Sequence, residues 1–187
     1  MKRTAFDIDG TVINLQDSLT HYFKKMYNIE LPDAAFSKWS IEETTKLPYE
    51  QVLGCVNACI ADIYSQDIYP GAKEFIKDYA NKNNIEVLFV TNRWDKVNTF
   101  KLLDRFFYDV YYDVIFVDGS KIDELKRINT EIYIEDRFEN AVEISDAGIF
   151  TYLIERPWNL WGNKSSNKLV RVKDWFELEE VYKRVVK

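Results

Sequence analysis

Phe6-Asp7-Ile8-Asp9-Gly10-Thr11-Val12, coming straight after a short apolar run, decides how the rest of the chain is read. Two carboxylates stand two residues apart and are followed at once by glycine and threonine. On an extended strand residues i and i+2 share a face. Asp7 and Asp9 should therefore leave the end of a buried strand close together, where the chain breaks into a loop at Gly10. Two like charges so placed repel, and desolvation adds to the cost. Such a pair calls for a cation between its members, or for proton transfer that needs both. Mg²⁺, with its preference for oxygen ligands, answers the first condition. One carboxylate as nucleophile and its neighbour as general acid/base answers the second. Alone, the stretch would also pass as a turn, because Asp and Gly are common turn residues; the other segments decide.

The chain has 187 residues, enough for one compact domain with an inserted subdomain. Its 47% hydrophobic and 30% charged residues fit a globular protein. Twenty-five basic against 31 acidic residues leave a net charge of −6, which disfavours long nucleic acid as a partner. The apolar runs are too short to span a membrane, and the opening motif leaves no room for a signal peptide. A cytoplasmic location is expected. Cys55 and Cys59 lie four apart on a helical stretch with no second pair to complete a zinc site, and read as small buried apolar residues. His21 is the only histidine, so a Ser-His or His-metal mechanism has almost nothing to work with. The chemistry falls to carboxylates, lysines and hydroxyls.

Short apolar runs alternate with longer helical patterns, which signals βα units and a parallel sheet. Strands are expected at about 3–8, 85–90, 114–117, 131–135 and 150–154, and helices at about 71–82, 95–106, 121–128 and 138–147. A β-like stretch near 168–172 leads into a last helix at about 174–186. Residues 14–68 break the alternation and read as helices only. Leu15, Leu19, Tyr22, Phe23 and Met26 recur at helical spacing, and after Pro48 so do Val52, Val56, Ile60 and Ile63. The expected division is a core of 1–13 and 69–187 with a helical cap of 14–68 over the carboxyl end of the first strand, able to act as a lid.

In open parallel sheets the ligand sits beyond the carboxyl ends of the strands. The first strand delivers Asp7 and Asp9 there. The second ends in Val90-Thr91-Asn92-Arg93, the third is followed by Gly119-Ser120-Lys121, and the fourth ends in Ile134-Glu135-Asp136-Arg137. Two acidic groups, a hydroxyl and a cation converge, a set able to hold Mg²⁺ and a phosphoryl group together. Each member also has a plain structural use. Thr91, Asn92 or Asp136 could cap the next helix, Lys121 could be a solvated surface residue, and Arg93 and Arg137 could pair with Asp9 or Glu135.

FDIDGTV, then VTNR, SK at a helix start and IEDRFENA together resemble the four motifs of the haloacid dehalogenase-like superfamily of phosphohydrolases. The likeness spans nearly the whole chain. It implies an α/β fold, a Rossmann-like three-layer sandwich on a parallel sheet, with a small helical cap inserted after strand 1. It makes Asp7 the nucleophile and Asp9 the general acid/base, and it gives phosphate binding to Thr91, with Asn92 beside it, and to Lys121. The metal would be Mg²⁺, held by Asp7, the backbone carbonyl of Asp9 and Asp136. Having Asp9 favours phosphate chemistry over dehalogenation. The Ala147-Gly148-Ile149-Phe150 and Glu155-Arg156-Pro157-Trp158-Asn159 runs resemble the 5′(3′)-deoxyribonucleotidase branch and bacterial candidate nucleotidases. One departure is that Arg137 follows Asp136 where many relatives carry a further acid; Glu135 could compensate, but strand alternation should turn it away from Asp136.

The function so implied is Mg²⁺-dependent hydrolysis of a small phosphorylated substrate, first among them a nucleoside monophosphate, through an aspartyl-phosphate on Asp7. Sugar phosphates, a phosphotransferase or phosphomutase using the same intermediate, and a receiver-like phosphoacceptor module are the alternatives. Phe36, Trp39 and Tyr49 are aromatic residues of the insertion able to stack on a base, though aromatics also fill interiors. Arg93 and Arg156 are candidate substrate contacts, and Trp158 and Trp161 either wall the site or cover the sheet edge.

Overall fold

The computed structural model describes residues 2–83, 85–164 and 166–185. Six parallel strands form the sheet: β1 (Thr4–Phe6), β4 (Val87–Thr91), β5 (Tyr112–Phe116), β6 (Ile132–Glu135), β7 (Phe150–Ile154) and β8 (Leu169–Val172), in the order β5-β4-β1-β6-β7-β8. Helices α4 (Ala72–Asn83), α5 (Lys96–Phe107), α6 (Ile122–Arg127), α7 (Phe138–Asp146) and α8 (Trp175–Val185) connect or follow these strands. Every expected core element is present, with its ends shifted by at most a few residues. Val186, the last position of the expected terminal helix, lies outside the described residues.

Local causes are visible in α5. The Asp95 side chain accepts from the Asn98 N–H at its start, satisfying a donor the first turn would leave unpaired. Thr99, Leu102, Leu103, Phe106 and Phe107 then put one stripe into the core. β4 and β6 are buried along their whole length, as parallel strands covered on both faces must be. Phe6, at the end of β1, is fully buried and lies within ring-contact distance of Phe75, Tyr79, Phe89 and Trp175. That packing pins the strand that carries the opening motif.

Residues between β1 and α4 build a separate apolar cluster from α1 (Gln16–Tyr27), a 3-10 turn (Asp33–Phe36), α2 (Ile41–Thr45) and α3 (Tyr49–Ala61). Its centre includes Phe23, Phe36, Cys55 and Cys59; both cysteines are free and buried, as small apolar residues would be. The stretch is not wholly helical. β2 (Ile13–Asn14) pairs antiparallel with β3 (Asp67–Ile68), closing the insertion at the two points where the chain leaves and rejoins the sheet. Two departures from the helical pattern follow. Met26 is exposed, and α3 stops at Ala61, so Ile63 packs with the sheet's core. Among the described residues no helix is long and apolar enough to cross a membrane.

Candidate active site

β1 sits between β4 and β6, and strand order reverses around it; that is where an open parallel sheet leaves a crevice at its carboxyl end. β1 ends at Phe6, and Asp7 still donates its N–H to Ile134 O of β6 (3.0 Å). The chain then turns, with Val12 and Ile13 N–H both bonded to Ile8 O. Gly10 takes φ +78°, and a Cβ there would stand 2.2 Å from Asp136 Oδ2; the turn and the acid approach so closely that only glycine fits.

Three carboxylates and one ammonium meet at the floor. Lys121, at the start of α6, places Nζ 2.6 Å from Asp7 Oδ1 and 3.2 Å from Glu135 Oε2. Oxygens of Asp7, Glu135 and Asp136 lie within 4.8 Å of one another. Glu135 thus points into the site, against the expectation that it turns away from Asp136. The reason is local: β6 ends at Glu135, whose Oε1 accepts the N–H groups of Asp136 (3.2 Å) and Arg137 (3.1 Å). The backbone folds around its own carboxylate, and strand alternation no longer applies. Asp136 does not cap α7, where Arg137 is the N-cap residue. Its Oδ1 accepts from the Thr11 hydroxyl (2.8 Å) and its Oδ2 from the Trp158 indole N–H (2.8 Å).

The electrostatics are one-sided. Burial pushes the Asp7 carboxyl up to about 7; Lys121 pulls the other way and the Glu135 charge adds to the rise. Burial, then the charges of Glu135 and Asp7, push Asp136 well above the usual carboxylate range. Burial works against the Lys121 ammonium, but Asp7 and Glu135 outweigh it and hold its pKa well above the ordinary value. One ammonium does not balance three buried carboxylates. An oxygen-only donor set short of positive charge fits a hard divalent cation, and binding one would reverse the carboxylate shifts.

Asp9 lines the same cavity as Asp7 and has a partner of its own. Its carboxylate takes a two-pronged bond from Arg93, with Nε 2.8 Å from Oδ2 and Nη2 2.5 Å from Oδ1. Arg93 Nη2 also donates to Gln66 Oε1 (2.5 Å), just before β3. Of the pairings open to Arg93, the one with Asp9 is formed. Arg137 pairs with Glu139 at 3.3 Å on the surface and lies over the Trp39 ring.

A cavity of about 480 Å³ opens above, lined from below by Asp7, Asp9, Thr91, Asn92, Arg93 and Lys121, and from the insertion by Phe36 and Trp39, with Trp158 at its side. Thr91 ends β4 and is buried, its hydroxyl accepting the Arg93 N–H (3.2 Å). The Asn92 amide donates to Val117 O (3.0 Å) and Gly119 O (2.9 Å), bracing the loop ahead of Lys121. Neither residue caps α5. Tyr49 lies outside this lining: it opens α3 and is 61% exposed. Arg156 also lies outside the lining. It runs beneath the opening turn, with Nε donating to Gly10 O (2.6 Å) and its guanidinium on the Tyr69 ring. Trp161 stays exposed, edge-on to Phe138. Gln66, Thr11 and the Trp158 N–H were missed by sequence reasoning; each acts through a contact distant in sequence that no local pattern announces.

No family model matches the chain. A nucleotidase of Clostridium acetobutylicum is 26% identical over 188 residues, covering 97% of this chain and 93% of that protein. A candidate nucleotidase of Oceanobacillus iheyensis is 22% identical over 193 residues, covering 95% and 97%. A haloacid dehalogenase family hydrolase of Deinococcus radiodurans, solved with bound phosphate and sodium, superposes with a TM-score of 0.67 at 10% identity, covering 100% of this chain and 96% of that one. The chain has the haloacid dehalogenase-like fold and resembles bacterial nucleotidases over nearly its whole length, as the four motifs implied.

Proposed function

We propose that this chain is a Mg²⁺-dependent phosphomonoester hydrolase working through a phosphorylated Asp7, with nucleoside monophosphates as its substrates. The observation that carries this is the buried meeting of Asp7, Glu135 and Asp136 around Lys121 at the floor of an open cavity, with Asp9 beside it. Mg²⁺ would be held by Asp7, Asp136 and the backbone carbonyl of Asp9, with Glu135 close at hand, and when bound would supply Lewis-acid neutralisation of phosphoryl oxygens.

The chain's own residues account for the rest. Asp7 is a carboxylate nucleophile at the end of a rigid strand; its oxygen bonds to phosphorus as the ester oxygen leaves. Lys121 and the Thr91 hydroxyl face the phosphoryl oxygens, where such a reaction needs charge offset. Asp9 gives a proton to the departing oxygen, then takes one from the water that releases phosphate from Asp7, help typically worth ~10²–10⁴-fold. Arg93 fixes the side from which Asp9 approaches. The helical insertion, as a cap, excludes bulk water over these groups.

A nucleotide is favoured by the aromatic side of the cavity, lined by Phe36, Trp39 and Trp158, and by the relatives named as nucleotidases. A cavity of this size suits a small ligand. The test is phosphate release from a panel of nucleoside, sugar and other monophosphates, with and without Mg²⁺. Release from nucleotides that stops with EDTA is expected; no release from any monoester, or release indifferent to EDTA, would contradict the proposal.

A further inference from the structure

The Arg156–Asn159 turn after β7 is bolted to the loops that carry the acidic cluster. Arg156 Nε donates to Gly10 O, and the Asn159 amide donates to Asp136 O (2.7 Å) and Ile154 O (2.8 Å). Between them Trp158 sends its indole N–H to Asp136 Oδ2 at 2.8 Å. The ring is held on two sides. Its six-membered edge lies where a Gly10 Cβ would meet it at 2.9 Å, and it makes a T-shaped contact with Trp39 of the insertion, centroids 6.2 Å apart. Trp39 in turn lies under the guanidinium of Arg137, the residue after Asp136.

We propose that Trp158 is a positioning residue for the metal-ligating carboxylate of Asp136, and so sets the affinity of the site for its divalent ion. This rests on the metal reading proposed above. A carboxylate oxygen has about two lone-pair directions. Trp158 takes one on Oδ2 and Thr11 takes one on Oδ1, which fixes the rotation of the carboxyl and leaves a direction on each oxygen for a cation. Without the indole donor, Asp136 could turn about its side-chain bonds, driven away from Asp7 and Glu135 by charge. A donor that orients a ligating carboxylate is typically worth ~10–100-fold in metal affinity.

The experiment is a calorimetric titration of Mg²⁺ into the wild-type chain and Trp158→Phe, which keeps an aromatic ring beside Trp39 and removes the N–H donor together with part of the indole. Melting temperatures without metal check that the variant is folded. A Mg²⁺ Kd weakened ~10–100-fold in a folded variant is expected; a Kd within about twofold of wild type would overturn the inference. If the variant does not fold, the wild-type chain still decides: its Trp158 indole N–H resonance should move as Mg²⁺ saturates, and an unmoved resonance would overturn the proposal. A wild-type chain that binds no Mg²⁺ would instead sink the metal reading, and this one with it.

Discussion

Asp7→Asn should do two opposite things: abolish turnover and, without metal, make the protein more stable. The folded environment raises the Asp7 carboxyl from 3.8 to about 7, burial being the largest cause. Since the folded-state value lies above the unfolded one, the folded chain holds the extra proton. The stabilisation from Asp7 is complete below the unfolded value, drains away as pH climbs toward about 7 and is gone beyond it. A shift of about three units corresponds to ~4 kcal/mol between neutral and charged forms. That is an upper limit, because Asn leaves Lys121 with Glu135 alone and the real site relaxes. A gain of ~2–4 kcal/mol should raise the melting temperature by roughly 5–15 °C for a chain of this size. Melting curves in EDTA near pH 5 and near pH 8 would read it, with the gap between Asn variant and wild type small at the acid end and wide at the basic end. Adding Mg²⁺ at the basic end should narrow the gap, because the ion binds the folded wild type and stabilises it. An Asn variant that melts at or below wild type in EDTA near pH 8, or a gap unchanged by pH, would refute the reasoning.

Arg93→Met should lower kcat by up to ~10²-fold with KM little changed, since Asp9 loses its anchor and not its carboxyl; steady-state kinetics on the best monophosphate check it. Gly10→Ala forces a Cβ into the Asp136 carboxylate at a left-handed φ and should cost more than ~2 kcal/mol in denaturant unfolding while weakening Mg²⁺ binding. Trp39→Ala should raise KM about tenfold for a nucleoside monophosphate, from loss of a stacking face, and leave KM for a phosphate ester with no aromatic group nearly unchanged.

The core was legible because its cues are local. Fully apolar runs such as Val87–Val90 can be little else but buried strands, and the Leu102, Leu103, Phe106, Phe107 stripe can only be a helix face. The clustering of Asp7, Lys121 and Asp136 followed from placing each at a strand end in a parallel sheet. The errors came where the chain leaves regular geometry. Strand alternation was extended one residue too far at Glu135, whose carboxylate is instead wrapped by the next two N–H groups. The same two-residue rule set Asp9 beside Asp7, and both line the same cavity; that Arg93 holds the Asp9 carboxylate there is a contact distant in sequence. Ile13–Asn14 and Asp67–Ile68 are too short for periodicity to register and exist only because they pair with each other. Tyr49 and Arg156 had the right chemistry, but nothing in their local sequence says which way they face.

The most direct test is mass spectrometry of the protein acid-quenched during turnover of a monophosphate with Mg²⁺. A phosphoryl group on the peptide carrying Asp7, absent without the ion, is the expected result. Steady release of phosphate with that peptide never modified, and retained by Asp7→Asn, would contradict the account.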